Sequence, residues 1–381
     1  NDMKGKQGLV CMGLLLVLSS CSCHTGKQIT ASGLQRKDFQ TEVNGQHTDL
    51  FTLSNKQGME VCITNYGARV VSILVPDRNG KREDVVCGFS TITEYMEQRQ
   101  NFGSTVGRYI GRILNARFTL DGVEYKLVPN NGKSGHISHG GNPGFADRIW
   151  KVEQADTHRV RLSYLSPDGE NGFPGNLKVT LVYSLGEDDN ALDLTYEATT
   201  DAPTVLNLSH HSFFNISGNF TKSVEDQQLW VDADRFTPYD DKKCVTGEYL
   251  PVAGTPLDFR MPHTIGECID ADHPQLKVVN GYDHTWELNT KGDDTRPAAW
   301  VYDPASGRKM EIFTTEPGMQ IYTGNGLKGK MTGKGGIAYP FRSAVCFETM
   351  HFQDSPNQPG FPSTVLRPGE VFRSHTVYKF E

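Results

Sequence analysis

Regular alternation of apolar and polar residues predicts that most of this chain forms β-strands. From residue 177 to residue 185 every second residue is apolar, so an extended strand there has one hydrophobic face and one polar face. A polar turn at residues 186–190 precedes a second alternating run at residues 192–198, which predicts a hairpin. Another hairpin is predicted where the runs 118–120 and 123–127 meet across Asp121-Gly122, a favoured two-residue turn.

Helical periodicity is scarce along the same stretch, and only residues 92–99 predict a short helix. Val160, Leu162 and Tyr164 mark a further strand. The 39 glycines and 19 prolines are scattered as turn residues, so no interior linker or domain boundary is evident. The pattern therefore predicts an all-β chain in which residues 38–381 form a single domain. We expect a large antiparallel β-sandwich that is twisted around a cleft.

The beginning of the chain has the pattern of a targeting signal. Two lysines precede an apolar run at residues 9–18, which is too short to span a bilayer but typical of a signal peptide. Leu18-Ser19-Ser20-Cys21 follows and resembles a bacterial lipobox, in which the cysteine becomes lipidated. We therefore predict a lipoprotein signal peptide at residues 1–20, and Cys23 is the weaker alternative for the lipidated position.

Lipidation of Cys21 places the mature protein on a membrane surface in the bacterial periplasm, with no span through the membrane. The polar residues 21–37 are predicted to form a flexible tether between this anchor and the domain. An ordinary secretory signal, without lipidation, is the alternative interpretation of the same segment.

Composition excludes some classes of partner. The formal net charge is −7 and no basic block occurs, so we expect no nucleic-acid partner. Five cysteines remain beyond the signal region, with no CxxC pair and no metal-ligand spacing. They are interpreted mostly as small buried hydrophobic residues, and their disulfide status stays open. These cysteines are Cys62, Cys87, Cys244, Cys268 and Cys346.

Two adjacent histidines, His210 and His211, stand within the polar and aromatic run 207–215. Neighbouring side chains of a strand point to opposite faces, so at most one of the two looks into a given pocket. Histidine exchanges protons near neutral pH, and Phe213 and Phe214 offer flat apolar surface that suits a sugar ring. The alternative is a turn in which both histidines satisfy backbone groups.

A second anomaly is a carboxylate within an apolar strand. Cys346, Glu348 and Met350 share one face of the run 344–350. Burial of Glu348 carries a desolvation cost and raises its pKa towards values that suit a general base. The alternative is an edge strand whose glutamate faces solvent.

Further polar residues have the form of ligands for hydroxyl groups. Gln320 shares a strand face with Tyr322, Asp283 follows an aromatic residue, and His139 precedes two glycines. Residues 107–112 contain glycines but lack the G-x-G-x-x-G spacing and a βαβ context, so no nucleotide site is expected. The sequence thus offers an acid, a base and ligands for hydroxyl groups, but no cofactor loop and no metal site. This combination indicates a sugar pocket that works by acid–base chemistry.

Several blocks of sequence, in a fixed order along the chain, carry a more specific signal. Through them the chain resembles the aldose 1-epimerase (galactose mutarotase) family over residues 39–381. The blocks are Asn65-Tyr66-Gly67-Ala68, Gly107-Arg108 with Arg112, His139-Gly140-Gly141 with Phe145, residues 207–215, Gly281-Tyr282-Asp283-His284, residues 317–325, Phe347-Glu348-Thr349, and Asn357-Gln358-Pro359 with Phe361-Pro362.

This resemblance implies a supersandwich fold like that of galactose mutarotase and interconversion of the α- and β-anomers of free aldoses such as D-glucose and D-galactose. It implies His211 as the general acid and Glu348 as the general base, with neither a metal nor a cofactor. The residues implied to bind the monosaccharide are Arg112, His139, Asp283, Gln320 and Phe213.

Three positions depart from the family pattern and bear on the preferred sugar. Gly111 stands where many relatives have Asn, which removes one hydroxyl contact. Phe213 stands where Tyr is common, and it keeps the stacking surface without the hydroxyl. His210 stands where relatives often carry Asn, and its imidazole is placed to perturb the pKa of the neighbouring acid.

Other functions remain as alternatives at this point. A sugar-binding protein without turnover would keep the pocket but not need the acid and base. A hexose-6-phosphate epimerase of the same fold would need an additional basic cluster at the pocket rim, and the sequence does not identify one. A glycosidase would need two carboxylates about 5–10 Å apart across the scissile bond, whereas the matched pair is a glutamate and a histidine.

Overall fold

Antiparallel strands provide nearly all of the regular structure in the computed structural model, which describes residues 28–381. The predicted signal peptide at residues 1–20, the lipidation site Cys21 and the first part of the predicted tether lie outside the described residues. Two short helices accompany the strands, α1 (Ile92–Gln98) and α2 (Pro274–Val279).

The strands, numbered in chain order, are β1 (Glu42–Val43), β2 (Gln46–His47), β3 (Leu50–Ser54), β4 (Glu60–Thr64), β5 (Arg69–Pro76), β6 (Arg82–Asp84), β7 (Ser104–Val106), β8 (Arg112–Ile113), β9 (Arg117–Leu120), β10 (Val123–Lys126), β11 (Ile137–Ser138), β12 (Lys151–Ala155), β13 (Arg159–Ser166), β14 (Leu177–Leu185), β15 (Ala191–Thr200), β16 (Thr204–Val205), β17 (Ser209–His211), β18 (Phe213–Phe214), β19 (Gln228–Val231), β20 (Arg235–Thr237), β21 (Leu250–Pro251), β22 (His263–Thr264), β23 (Asp283–Glu287), β24 (Ala299–Tyr302), β25 (Lys309–Thr314), β26 (Gly318–Tyr322), β27 (Val345–Met350), β28 (Val365–Leu366) and β29 (Phe372–Phe380).

Three sheets organise these strands. The largest has nine strands in the order β12-β13-β14-β15-β29-β25-β24-β19-β22, the second has six in the order β18-β27-β26-β23-β20-β21, and the third is the meander β3-β4-β5-β6. The remaining strands form two-stranded pairs, of which β8–β11 and β7–β17 matter for the site. The all-β antiparallel fold predicted from the sequence is confirmed.

A single large apolar cluster joins the inner faces of these sheets. On β14 the alternating residues predicted to face the core are buried, and on β27 the core side is formed by Val345 and Phe347. Side chains from the nine-, six- and four-stranded sheets meet in the same cluster, which is the packing expected of a sandwich. The face of β27 that points away from this core is therefore available for a site.

The local predictions also agree with the structure. The hairpin β9–β10 turns at Asp121 and Gly122, whose φ values of 51° and 79° suit the two-residue turn that matches strand twist. Thr91 caps the N-terminus of helix α1: its side chain accepts from the Glu94 backbone N–H, while the Glu94 carboxylate accepts from the Thr91 N–H. The predicted helix at residues 92–99 is thus confirmed.

One prediction needs correction at the start of the described chain. Residues 28–37 were expected to belong to a flexible tether, but Leu34 is buried and the Glu60 carboxylate accepts the backbone N–H groups of Ala31 and Ser32. The buried carboxylate needs these donors, and Leu34 adds apolar burial. The folded body therefore begins before residue 38.

The cysteines are all unpaired in the described part of the chain. Cys62, Cys87 and Cys346 are fully buried, as the interpretation as small hydrophobic residues requires, whereas Cys244 and Cys268 are half-buried. Between residues 28 and 381 no helix is both long enough and apolar enough to cross a membrane.

Candidate active site

Three neighbouring strands direct polar side chains to the face of the six-stranded sheet that lies opposite the core. Across β27, β26 and β23, Glu348 is paired with Gln320 and Gln320 with Thr285. Because β27 lies between β18 and β26, Glu348 is not on an edge strand, and its side chain is 5% exposed. The sheet therefore supplies a buried carboxyl group to the floor of a cleft.

Strand β17 brings His211 to this carboxyl group. The Nε2 atom of His211 lies 3.5 Å from Oε1 of Glu348. The ring of Phe213 lies nearly parallel to the imidazole, with centroids 5.0 Å apart and an interplanar angle of 17°. Phe213 thus packs against His211 and fixes its orientation.

The other histidine of the pair faces the opposite way. His210 is 3% exposed and lies in the core, where its Nε2 contacts the Ser212 hydroxyl at 2.5 Å and its Nδ1 contacts the Tyr183 hydroxyl at 3.4 Å. Burial lowers the pKa of His210 to about 3, so this ring is neutral. Only His211 is directed into the cleft.

The cleft has a volume of about 490 Å³, which is in the range of sites for small molecules. Every residue that the sequence assigned to catalysis or sugar binding lines it. These residues are His211, Glu348, Arg112, His139, Asp283, Gln320 and Phe213.

Burial sets the charge state of the central pair. It lowers the pKa of His211 well below 6.5, and the neighbouring His139 lowers it further. Burial also raises the pKa of Glu348 well above 4.5, and the Asp283 carboxylate adds to this rise. Both pKa shifts favour the uncharged form of the group concerned. Near neutral pH the two groups together therefore hold one proton.

His139 is held as a neutral hydrogen-bond donor. Its Nδ1 accepts the backbone N–H of Gly111 at 3.3 Å, which places the ring proton on Nε2. Burial, together with the charge of Arg112, lowers the pKa of His139 to about 4. Its ring centroid lies 5.5 Å from that of His211, so the donor lies beside the Glu348–His211 pair.

Arg112 retains most of its hydrogen-bonding capacity. One guanidinium nitrogen donates to the backbone carbonyl of Lys243 at 2.5 Å. A guanidinium carries five N–H groups, and no carboxylate within residues 28–381 forms a salt bridge with this one. The cation is therefore free to bind oxygen atoms of a ligand.

The side chain of Gln320 forms hydrogen bonds with other residues of the protein. Its Oε1 accepts from the Thr285 hydroxyl at 2.5 Å, while its Nε2 donates to Oδ1 of Asp283 at 2.7 Å and to the Tyr239 hydroxyl at 3.3 Å. Burial raises the pKa of Asp283. Gln320 thereby fixes the carboxylate and the phenol that flank it.

Further polar residues that no sequence pattern predicted line the same cleft, among them Tyr239, Gln353, Lys243 and Lys328. Tyr239 and Lys243 belong to an irregular loop after β20, and Gln353 follows the end of β27. No periodic pattern marks such positions, so the sequence offered no signal for them.

A cluster of potential metal ligands overlaps the site. Ligand atoms of His211, Cys346 and Glu348 all lie within 4.8 Å of one another. Burial raises the pKa of the Cys346 thiol well above 9.0, and a thiol must lose its proton to become a good ligand. The donor set is therefore poorly suited to a metal ion.

Comparison with known proteins connects this geometry to a family, since a sequence model of the aldose 1-epimerase family matches residues 49–379. The chain belongs to the aldose 1-epimerase family. It is 39% identical to a galactose mutarotase of Sus scrofa over 87% of this chain and 93% of the relative. It is 36% identical to an aldose 1-epimerase of Escherichia coli K12 over 88% of this chain and 96% of the relative.

Solved structures of the aldose 1-epimerase family share the fold. An aldose epimerase homologue from C. elegans superimposes with a TM-score of 0.81 at 31% identity, covering 88% of this chain and 99% of the other. A galactose 1-epimerase from Lactobacillus acidophilus gives a TM-score of 0.78 at 28% identity, covering 90% and 97%. The supersandwich expected from the resemblance is thereby confirmed.

Some of the family blocks support the fold and not the cleft. Arg108 is 2% exposed and donates to the Pro174 carbonyl and the Ser166 hydroxyl, both at 2.7 Å. The Asn65 amide donates to the carbonyls of His47 and Trp150. These residues satisfy buried backbone carbonyls and do not line the cleft.

Proposed function

We propose that this chain is an aldose 1-epimerase that interconverts the α- and β-anomers of free aldoses such as D-glucose and D-galactose. The observation that carries the proposal is the buried Glu348–His211 pair, 3.5 Å apart in a cleft whose other walls present hydroxyl ligands. Membership of the aldose 1-epimerase family supports the same reaction.

The reaction needs two proton transfers, because the C1 hydroxyl must lose a proton and the ring oxygen must gain one. In the working form Glu348 is ionised and His211 carries the single proton of the pair. Glu348 takes the C1 hydroxyl proton while His211 protonates the ring oxygen, which opens the ring. The C1–C2 bond then rotates, and the two groups reverse their roles on closure. A positioned base and acid each contribute about 10²–10⁴-fold to such a rate.

The surrounding groups bind and orient the sugar. The Nε2–H of His139 and the free N–H groups of Arg112 are donors for sugar oxygens, and the Asp283 carboxylate is an acceptor for sugar hydroxyls. Phe213 holds the imidazole of His211 in place. Held in this way, the open-chain aldehyde stays close to the acid–base pair.

Polarimetry tests the proposal. Freshly dissolved α-D-galactose or α-D-glucose is expected to reach its equilibrium rotation faster in proportion to enzyme concentration. His211→Ala and Glu348→Gln are expected to remove most of the acceleration. Variants that equalise the anomers as fast as the parent would show that this pair does not perform the reaction, and tight sugar binding without acceleration would indicate a binding protein.

One observation favours a second candidate, a hexose-6-phosphate epimerase. Lys243 and Lys328 line the same cleft as Arg112, and no ion pair engages either ammonium in the described chain. These cations supply the kind of basic rim that a phosphate group requires. A ratio of kcat/KM for D-glucose 6-phosphate to kcat/KM for D-glucose well above 1 would favour this candidate, and a ratio below 1 would favour the free aldose.

We also propose that the protein is anchored through lipidated Cys21 to a membrane surface in the bacterial periplasm. The apolar run and the lipobox-like Leu18-Ser19-Ser20-Cys21 support this localisation. Cys21→Ser is expected to abolish incorporation of labelled fatty acid and to release the protein from the membrane fraction. Retention of the label in that variant would contradict lipidation at Cys21.

A further inference from the structure

Tyr239 occupies the cleft in a rigid setting. Its backbone N–H donates to Oε1 of Gln275 at 2.8 Å, and its carbonyl accepts from Nε2 of the same side chain at 2.8 Å. The side chain lines the cleft and is 6% exposed, with its ring 5.3 Å from that of His284. Its position is thus set before any ligand arrives.

Two amide groups donate to the Tyr239 oxygen. On one side, Nε2 of Gln320 lies 3.3 Å away and also donates to the Asp283 carboxylate at 2.7 Å. An ionised carboxylate only accepts hydrogen bonds, which determines which end of the Gln320 amide faces Tyr239. The contact is therefore an N–H that donates to the phenolic oxygen.

On the other side, Nε2 of Gln353 lies 2.8 Å from the same oxygen. Its Oε1 accepts the backbone N–H of Arg112 at 3.2 Å, and a backbone N–H only donates. The orientation of the Gln353 amide is consequently fixed as well. Both acceptor positions of the phenolic oxygen are thus filled, and only its hydrogen remains.

Gly111 provides the space in which Gln353 lies. A Cβ atom at this position would be 2.6 Å from Cγ of Gln353, and the φ of Gly111 is +76°. A side chain at position 111 would both strain the backbone and displace the amide. The Gln353 amide therefore lies beside Gly111, the position at which the resemblance implies a lost hydroxyl contact.

The phenolic hydrogen has no acceptor among the side chains and backbone groups of residues 28–381, although the hydroxyl lines the cleft. Gln320, one of its two donors, pairs with Glu348 on the adjacent strand, which puts the phenol beside the catalytic floor. A sugar hydroxyl bound there would supply the missing acceptor.

We propose that Tyr239 is a substrate-binding residue that donates its phenolic hydrogen to a hydroxyl group of the sugar, and that Gln353 is the residue that positions it. The inference rests on the proposed function for the nature of the ligand. It adds a specificity-determining contact on the side of the cleft where Gly111 leaves room for Gln353.

Tyr239→Phe deletes the hydroxyl group and keeps the ring. Loss of one uncharged hydrogen bond is expected to lower kcat/KM for D-galactose by about 2–10-fold, mainly through a higher KM. The parent is expected to discriminate against one of the 2-, 3-, 4- and 6-deoxy-D-galactoses by a similar factor, and the variant is expected to lose that discrimination. Equal losses on every sugar, or no loss on D-galactose, would overturn the inference.

Gln353→Met tests the positioning role without deleting the phenol. It is expected to cause a smaller loss than Tyr239→Phe, and the double variant is expected to be no worse than Tyr239→Phe alone. Losses that multiply in the double variant would show that Gln353 acts independently of Tyr239. Melting temperatures of the three variants separate a general loss of stability from the sugar-dependent effect.

The activity of the parent enzyme separates the proposed epimerase activity from the proposed Tyr239 contact. If the parent accelerates none of the sugars, the proposed epimerase activity is wrong, and binding of D-galactose is then measured by calorimetry. Weaker binding to Tyr239→Phe than to the parent would still support the contact, and equal binding would overturn it. If the parent is active and Tyr239→Phe matches it on all sugars, only the inference fails.

Discussion

Replacement of Glu348 by glutamine separates the chemistry of the site from its stability. The substitution keeps the size of the side chain, which is 5% exposed, and its distance from His211 in the cleft. It removes the basic oxygen that takes the C1 hydroxyl proton. Asp283 is the other carboxylate that lines the cleft, and it is assigned to binding sugar hydroxyls while its Oδ1 accepts from the Gln320 amide at 2.7 Å. Glu348→Gln therefore leaves the acid–base pair without its base.

The expected loss of activity is the full contribution of a positioned base. That contribution is about 10²–10⁴-fold, which corresponds to about 2.7–5.5 kcal/mol of transition-state stabilisation. Initial rates of polarimetric change for α-D-galactose, measured at several sugar concentrations, give kcat and KM for parent and variant. The loss is expected in kcat, because glutamine preserves the contacts that bind the ground state.

Glu348→Gln is expected to lower kcat but to increase the stability of the fold. The pKa of Glu348 in the folded protein is raised, so the stability associated with its neutral form is complete below about pH 4 and is lost as the pH rises through the folded value. Glutamine never ionises and avoids that loss. Urea unfolding at pH 5 and pH 8 is therefore expected to show Glu348→Gln gaining stability relative to the parent as the pH rises.

Glu316→Gln is the matched control, since Glu316 is also a buried glutamate paired with a histidine. Its Oε2 lies 2.6 Å from Nδ1 of His351, outside the cleft, and its side chain is 2% exposed. This variant is expected to lose about 1.5–3 kcal/mol of stability and to keep its kcat/KM. A Glu348→Gln variant with parent-like kcat, or with the same loss of stability as Glu316→Gln, would show that Glu348 is not the catalytic base.

Three further outcomes are expected. His211→Asn should lose at least about 100-fold in kcat, whereas His210→Asn should lose stability but keep substantial activity, and polarimetry with thermal melts checks both. The acid limb of the kcat/KM profile reports uptake of a second proton by the pair and should lie below pH 6.5, because burial lowers the pKa of His211; a limb at or above 6.5 would contradict the shared proton. His375, whose pKa is raised to about 9 by hydrogen bonds to two aspartates, should stabilise the fold fully below pH 6.5 and lose this effect as the pH rises through about 9. Allowing for its 29% exposure, His375→Gln should cost about 1–2 kcal/mol in urea unfolding at pH 6 and almost nothing at pH 10.

The alternation of apolar and polar residues predicted those parts of the fold and of the site that depend on local periodicity. The buried face of β14 and the hairpin at Asp121 follow directly from sequence spacing. Glu348 was detectable because a charged residue on an apolar strand face needs a partner. Adjacent side chains of a strand point to opposite faces, so strand geometry alone allowed only one of His210 and His211 to face the cleft.

The remaining features depend on contacts between residues distant in sequence. Tyr239 and Gln353 are separated by more than one hundred residues, and neither belongs to a periodic element. The tautomer of His139 is set by the backbone of Gly111, which no side-chain pattern encodes. The packing of Leu34 likewise depends on tertiary contacts, so local composition alone predicts a tether at residues 28–37.

We propose that the Glu348–His211 pair exchanges the anomers of a free aldose. Exchange NMR of D-galactose at equilibrium measures this directly, because cross-peaks between the two anomeric protons report ring opening and closure at C1. We expect cross-peaks that grow with the concentration of the parent enzyme and disappear with Glu348→Gln. An exchange rate no faster than in buffer alone would contradict it.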